Sequence, residues 1–142
     1  MTRLIYILVS VVLIVLVNCC KKESQSLGVG YAPIVGSWRL VQRHIPANPS
    51  SLTFTTQIIP PLPLQEITFS NDGSMSSVGK ETEYYRSSKY YRVDTTGGSK
   101  RIGFIISDVY SAFYHGLIIR KDTLTLVPCQ TQDCNISLIK SR

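Results

Sequence analysis

The residues of this 142-residue chain that could do chemistry are four cysteines, two histidines and a group of tyrosines interleaved with cations. Cys19 and Cys20 stand side by side where the apolar run of residues 4–17 meets Lys21-Lys22-Glu23. One basic residue, Arg3, then an apolar stretch of h-region length, then an abrupt change to charge reads as an export signal. The run is short for a helix crossing roughly 30 Å of hydrocarbon, which argues against the alternative of an uncleaved anchor. A plain secretory signal is the other alternative. Export would put Cys129 and Cys134 in an oxidising compartment, where a disulfide between them can persist. Neither lies in a CxxC pair and no histidine is close in sequence, so their spacing is not that of a zinc site. His44 and His115 fall in different segments, without acidic or cysteine neighbours at ligand spacing. They read as surface or core histidines, and no metal site is expected. No Gly-x-Ser-x-Gly motif and no glycine loop between strand and helix is present. The chain is therefore read as non-enzymatic and without a cofactor.

Tyr84, Tyr85, Arg86, Tyr90, Tyr91 and Arg92, with Lys89 among them, form the most distinctive surface candidate. Rings alternating with cations can stack on sugars or bases, or lie at a membrane interface. The plainer alternative is cross-strand packing of tyrosines with the charges on the wet face. Pro60-Pro61-Leu62-Pro63 formally contains PxxP and reads as a stiff connection between strands. Asn135-Ile136-Ser137 is a glycosylation sequon. The formal net charge of +6 suits anionic lipid or envelope polysaccharide. Nucleic acid is not expected as a partner of an exported protein.

These residues need elements to position them. Residues 21–31 are charged, small or glycine and read as a flexible tether with a span on the order of 20 Å. After Pro33 no window keeps a 3.6-residue apolar period for three turns. Short runs of two-residue alternation, rich in Val, Ile, Thr, Tyr and Phe, are separated by turn residues at short intervals. The strands expected are 35–45, 52–59, 64–70, 74–79, 82–86, 89–95, 101–107, 112–120, 123–127 and 135–139. Asn71-Asp72-Gly73 and Gly97-Gly98 make two of the turns, and a one-turn helix near 108–113 is a weaker expectation. So many short strands suggest an all-β, up-and-down antiparallel barrel, whose closure removes exposed edges.

The segment ending Leu16-Val17-Asn18-Cys19 resembles the lipobox of bacterial lipoproteins at Leu16, Val17 and Cys19, and departs from it at Asn18. Val17-Asn18-Cys19-Cys20 is the competing frame, making Cys20 the alternative lipidation site. The resemblance implies a thiol carrying fatty acyl chains after cleavage of residues 1–18. Residues 19–32 would then be a lipidated tether, and the protein would be held on a bacterial envelope membrane, the outer one being expected. Ile34-Val35-Gly36-Ser37-Trp38 carries Gly-x-Trp on an opening strand, and Ile67-Thr68-Phe69 runs into Asn71-Asp72-Gly73. With the Tyr-rich segment and Leu124-Thr125-Leu126, this order resembles the lipocalin-like domains of such lipoproteins, here over residues 33–142. The resemblance implies a barrel floor at Gly36 and Trp38, with a cation stacked on the indole. Arg120 and Arg142 are the candidates for that cation. It also implies a small hydrophobic ligand in the open end. The alternative is an inhibitor or adhesin whose loops and Tyr/Arg patch contact protein or glycan.

The expected interior is Trp38, Leu40, Ile67, Phe69, Ile102, Phe104, Ile106, Leu117, Ile119, Leu124 and Leu126. The cysteine pair creates one conflict. If Cys129 faces Cys134 across a plain hairpin, Leu126 faces Ser137, and Leu124/Leu126 and Ile136/Leu138 fall on opposite faces. Burying both sets together requires a bulge or a shifted register.

Overall fold

In the computed structural model nine antiparallel strands among the described residues form a single sheet that curls almost into a closed barrel. The residues it describes are 30–48, 53–106, 112–128 and 135–141. The strands are β1 (Gly36–Pro46), β2 (Phe54–Ile58), β3 (Glu66–Phe69), β4 (Met75–Val78), β5 (Tyr90–Asp94), β6 (Arg101–Ile105), β7 (Ala112–Arg120), β8 (Thr123–Pro128) and β9 (Ile136–Lys140). Neighbours around the sheet run β4-β3-β1-β9-β8-β7-β6-β5, with β2 on the outer half of β1. The β2 and β3 strands act as one interrupted strand. Both pair antiparallel with β1, β2 against residues 42–46 and β3 against residues 36–39. Ile59 still donates its N–H to the Val41 carbonyl, and Leu40 donates to the Gln65 carbonyl. The proline-rich residues 60–64 loop out between these two bonds, because proline cannot donate to a ladder. So counted, the order round the barrel is the order along the chain, and β9 returns to β1. This is the up-and-down arrangement expected.

Closure is incomplete between β4 and β5. One bridge, Ser74 to Tyr90, joins them. Beside it Met75 donates to Lys89 and Tyr91 donates to Gly73, each at 2.8 Å. Every other neighbouring pair is registered over at least four positions.

The floor end carries tight turns. Asp72 Oδ1 accepts from the Ser74 N–H and hydroxyl while Gly73 takes a positive φ of 82°. Asp94 does the same for Thr96, ahead of Gly97 at φ 73°. These carboxylates closing their own turns explain why both sequences break a strand. At the mouth end, β4 leads into residues 79–89, which include a 3-10 turn at Glu83–Tyr85.

The core is continuous. Trp38, Leu40, Ile67, Phe69, Ile102, Phe104, Leu117, Leu124 and Leu126 are buried, joined by Ile34, Ile59, Met75, Tyr85, Tyr91 and Leu138. Ile119, also expected inside, is half-buried but packs against this core, whereas Ile106 is half-buried and not part of it. On β9, Leu138 faces Leu124 and Ile136 faces Leu126. Both apolar sets therefore share the inner face. That register is offset by one residue from the pairing a plain Cys129–Cys134 hairpin requires, so burial of leucine decided it. Cys129 and Cys134 themselves, like Cys19, Cys20 and residues 1–18, lie outside the described residues.

Three expectations are corrected. Residues 82–86 are not a strand: Gly79 turns the chain at φ 107° and the Thr82 hydroxyl donates to the Val78 carbonyl at 2.7 Å. That local bond competes with a ladder and favours a turn. Ala112 and Phe113 belong to β7, not to a helix; residues 107–111 are outside the described set. Gly30, placed in the tether by its sequence, already packs against the fold. Gly30 is buried and donates its N–H to the Asn71 carbonyl at 2.8 Å.

Candidate functional site

Trp38 opens β1 with its ring buried, and its indole N–H donates to the Ile34 carbonyl at 2.6 Å. Ile34 belongs to a 3-10 turn, Ala32–Ile34, that follows Gly30 beneath the β3–β4 turn. The chain thus crosses the floor before entering the barrel wall. Gly36 accompanies it with φ 125°, a conformation that suits glycine. Among the described residues the cation over the indole is a lysine and not Arg120. Lys140, on the neighbouring strand β9, holds its Nζ 5.7 Å from the ring centroid. Arg120 is exposed at the C-terminal end of β7, separated from β1 by β9 and β8, and Arg142 lies outside the described residues. Register explains the choice: Trp38 and Lys140 are direct cross-strand partners.

The mouth end is built differently. A β-bulge between Leu40 and Gln42 shifts the register of β1 against β9, so that Arg43 faces Ile136. Ile136 in turn faces the buried Leu126. Cross-strand partners share a face, so Arg43 belongs to the inner side. There its Nε donates to Gln57 Oε1 at 2.6 Å, and its guanidinium pairs with Glu81. Glu81 donates its N–H to the side chain of the buried Gln65 at 2.8 Å.

Beyond Glu81 the chain dips into the barrel. Tyr85 is buried with its ring 4.9 Å from Phe104 and 6.2 Å from Phe113. Its hydroxyl lies 3.3 Å from His115 Nδ1. Phe104 and Phe113 stack at 5.1 Å, and His115 touches both rings. Burial pushes the Tyr85 phenol up from its ordinary value and the His115 imidazole down to about 4. Both groups are therefore neutral near pH 7. Ser88 follows, 2 % exposed, with no hydrogen-bond partner for its hydroxyl among the described residues. His115 was not legible as a site because nothing along the chain says that a tyrosine thirty residues away will cover it.

The proposed Tyr/Arg patch is divided by the fold. Tyr85 and Tyr91 are buried, Tyr91 giving its hydroxyl to the Ser70 carbonyl at 2.9 Å. Tyr84, Arg86 and Arg92 are exposed and Tyr90 is half-buried. Tyr84 lies over Phe113 and stacks near-parallel to His115. His44 is elsewhere, on β1, bonded to Gln42 at 2.9 Å. Among the described residues no group of three or more His, Cys, Asp or Glu side chains could hold a metal ion.

Comparison of the chain with protein-family models, curated proteins and solved structures finds no match.

A second exposed feature was not anticipated. Ile58, Leu62, Leu64 and Val78 all face solvent on the outer wall, Leu62 at 77 %. The residues 53–65 that supply most of it contain no charge. The composition was readable; that the loop bulges outward was not. An open groove of about 320 Å³ also lies at the floor between Asp122, Ile139, Lys140 and Ser141.

Proposed function

We propose that this chain is a lipid-anchored protein of the cell envelope, non-enzymatic, whose lipocalin-like barrel captures one small hydrophobic ligand. The observation that carries the reading is the nearly closed barrel with a ring-lined, apolar mouth end at Phe104, Phe113 and His115. Small barrels closed at one end suit the enclosure of a single apolar molecule. The anchor is supported by the sequence at Cys19, with Cys20 as its alternative. Acyl chains contribute about 0.8 kcal/mol per buried CH₂, and two hold a protein on a membrane stably. Because Gly30 lies at the floor, such an anchor would attach at the end opposite the mouth. A Cys129–Cys134 bridge would staple the connection between β8 and β9 at the mouth.

The anchor is tested by globomycin treatment and by Cys19→Ser together with Cys20→Ser. The precursor is expected to accumulate with the drug, and the double variant to leave the membrane fraction. Unchanged membrane association in the double variant rejects lipidation. Ligand capture is tested by native mass spectrometry of the exported protein, where a co-purifying small molecule is expected.

A second reading is favoured by the apolar wall at Ile58, Leu62, Leu64 and Val78, since patches of this kind mark contact surfaces. In that reading the wall and the exposed Tyr84, Arg86 and Arg92 contact a protein or glycan. Substituting Leu62→Ser and Leu64→Ser separates the two, because ligand capture in the barrel is indifferent to the wall.

A further inference from the structure

Resting on the ligand-capture reading, we propose that residues 79–89 are a displaceable plug whose Tyr85 occupies the place of the ligand, a neutral phenol-like molecule entering at the β4–β5 seam.

Four observations converge. Tyr85 is a phenol already bound inside the barrel, against Phe104 and Phe113 and within hydrogen-bond distance of His115 Nδ1. It is delivered by a connection, not by a strand, so it can leave without breaking the ladder between β5 and β6. The seam beside it is the weakest junction of the wall, a single bridge with two flanking hydrogen bonds. The Ser88 hydroxyl, in the same segment and 2 % exposed, has no partner among the described residues. Leaving a buried hydroxyl unpaired is costly, and folded proteins seldom do so without a reason. A ligand hydroxyl, or the rearrangement that admits it, supplies one.

The chemistry of the pocket sets the ligand class. Phe104 and Phe113 offer ring faces, and His115 supplies a polar nitrogen that already meets a hydroxyl. Among the described residues His115 has no ion-pair partner, and a charged ligand would enter an apolar site uncompensated. A flat molecule with one hydroxyl therefore fits better than a carboxylate. Gly79 is the pivot at the β4 end, and its glycine is required twice over. Its φ is 107°, and an added Cβ would lie 2.5 Å from the Leu64 carbonyl oxygen.

The test uses the full chain in lipid nanodiscs, with empty nanodiscs as the blank, and 4-propylphenol as probe. Hydrogen exchange is followed by mass spectrometry, because the Tyr85, Arg86 and Ser88 amides are bonded within the plug. Saturating probe is expected to speed exchange in residues 79–89. The methyl ether, 4-propylanisole, is expected to bind about tenfold more weakly, because it replaces the hydroxyl that meets His115 Nδ1 with a bulkier ether that cannot donate. His115→Phe should remove that preference while keeping the fold. Probe binding with residues 79–89 as protected as before overturns the plug. Failure of 4-propylphenol to bind while 1-decanol does bind overturns it too, and leaves ligand capture standing. If neither probe binds, both fall together.

Discussion

His115 sits where a proton is unwelcome. Burial among Tyr84, Tyr85, Phe104 and Phe113 lowers its pKa from 6.5 to about 4. The unfolded chain takes up a proton near pH 6.5 that the folded barrel refuses until about pH 4. This contribution to stability is therefore complete above the unfolded value and falls as pH drops through that window, by up to about 3 kcal/mol. Thermal melts should show the wild-type midpoint falling more steeply between those limits than that of His115→Phe. Parallel slopes would clear His115 of responsibility. Trp38 is the opposite case at the same scale. Its burial was readable, since the one tryptophan of the chain, on an opening strand, carries a large apolar area. Its cation was not readable. Only the pairing of β1 with β9 selects Lys140 over Arg120.

Among the elements, the two ends of the barrel differ in how much they tolerate. Gly79 and Gly97 both have positive φ, yet their surroundings are unlike. A Cβ on Gly79 meets the Gln65 side chain and the Leu64 carbonyl, whereas one on Gly97 meets nothing within 4 Å. Gly97→Ala should therefore cost only the backbone strain, about 1–2 kcal/mol. Gly79→Ala should cost clearly more, and chemical denaturation of the two variants measures the difference. Equal costs would mean that the residues 79–89 are not packed as described. Strand boundaries followed local chemistry closely where side chains close their own turns, as at Asp72 and Asp94. They failed at Thr82, where alternation of aromatic and polar residues suggested a strand. A hydroxyl bond to the Val78 carbonyl, and the room for Tyr85 beneath, made a turn instead.

For the whole molecule, the seam between β4 and β5 sets the order in which the barrel comes apart. The Met75 and Tyr91 amides that close it are expected to exchange on the order of tenfold faster than those of the β7–β8 ladder. Residue-resolved exchange checks this. Equal protection would describe a fully closed barrel, and a plug would then have no seam through which to admit anything.

Alternation of apolar residues, short runs and turn chemistry are local properties. They were enough to specify an all-β meander, most of its strands and most of its interior, because burying one face of each strand leaves few arrangements. Which cation covers Trp38, which tyrosine turns inward and how β8 registers on β9 depend on residues far apart in the chain. Those choices were made when the sheet closed, since closure fixes which side chains meet and which polar groups lose water.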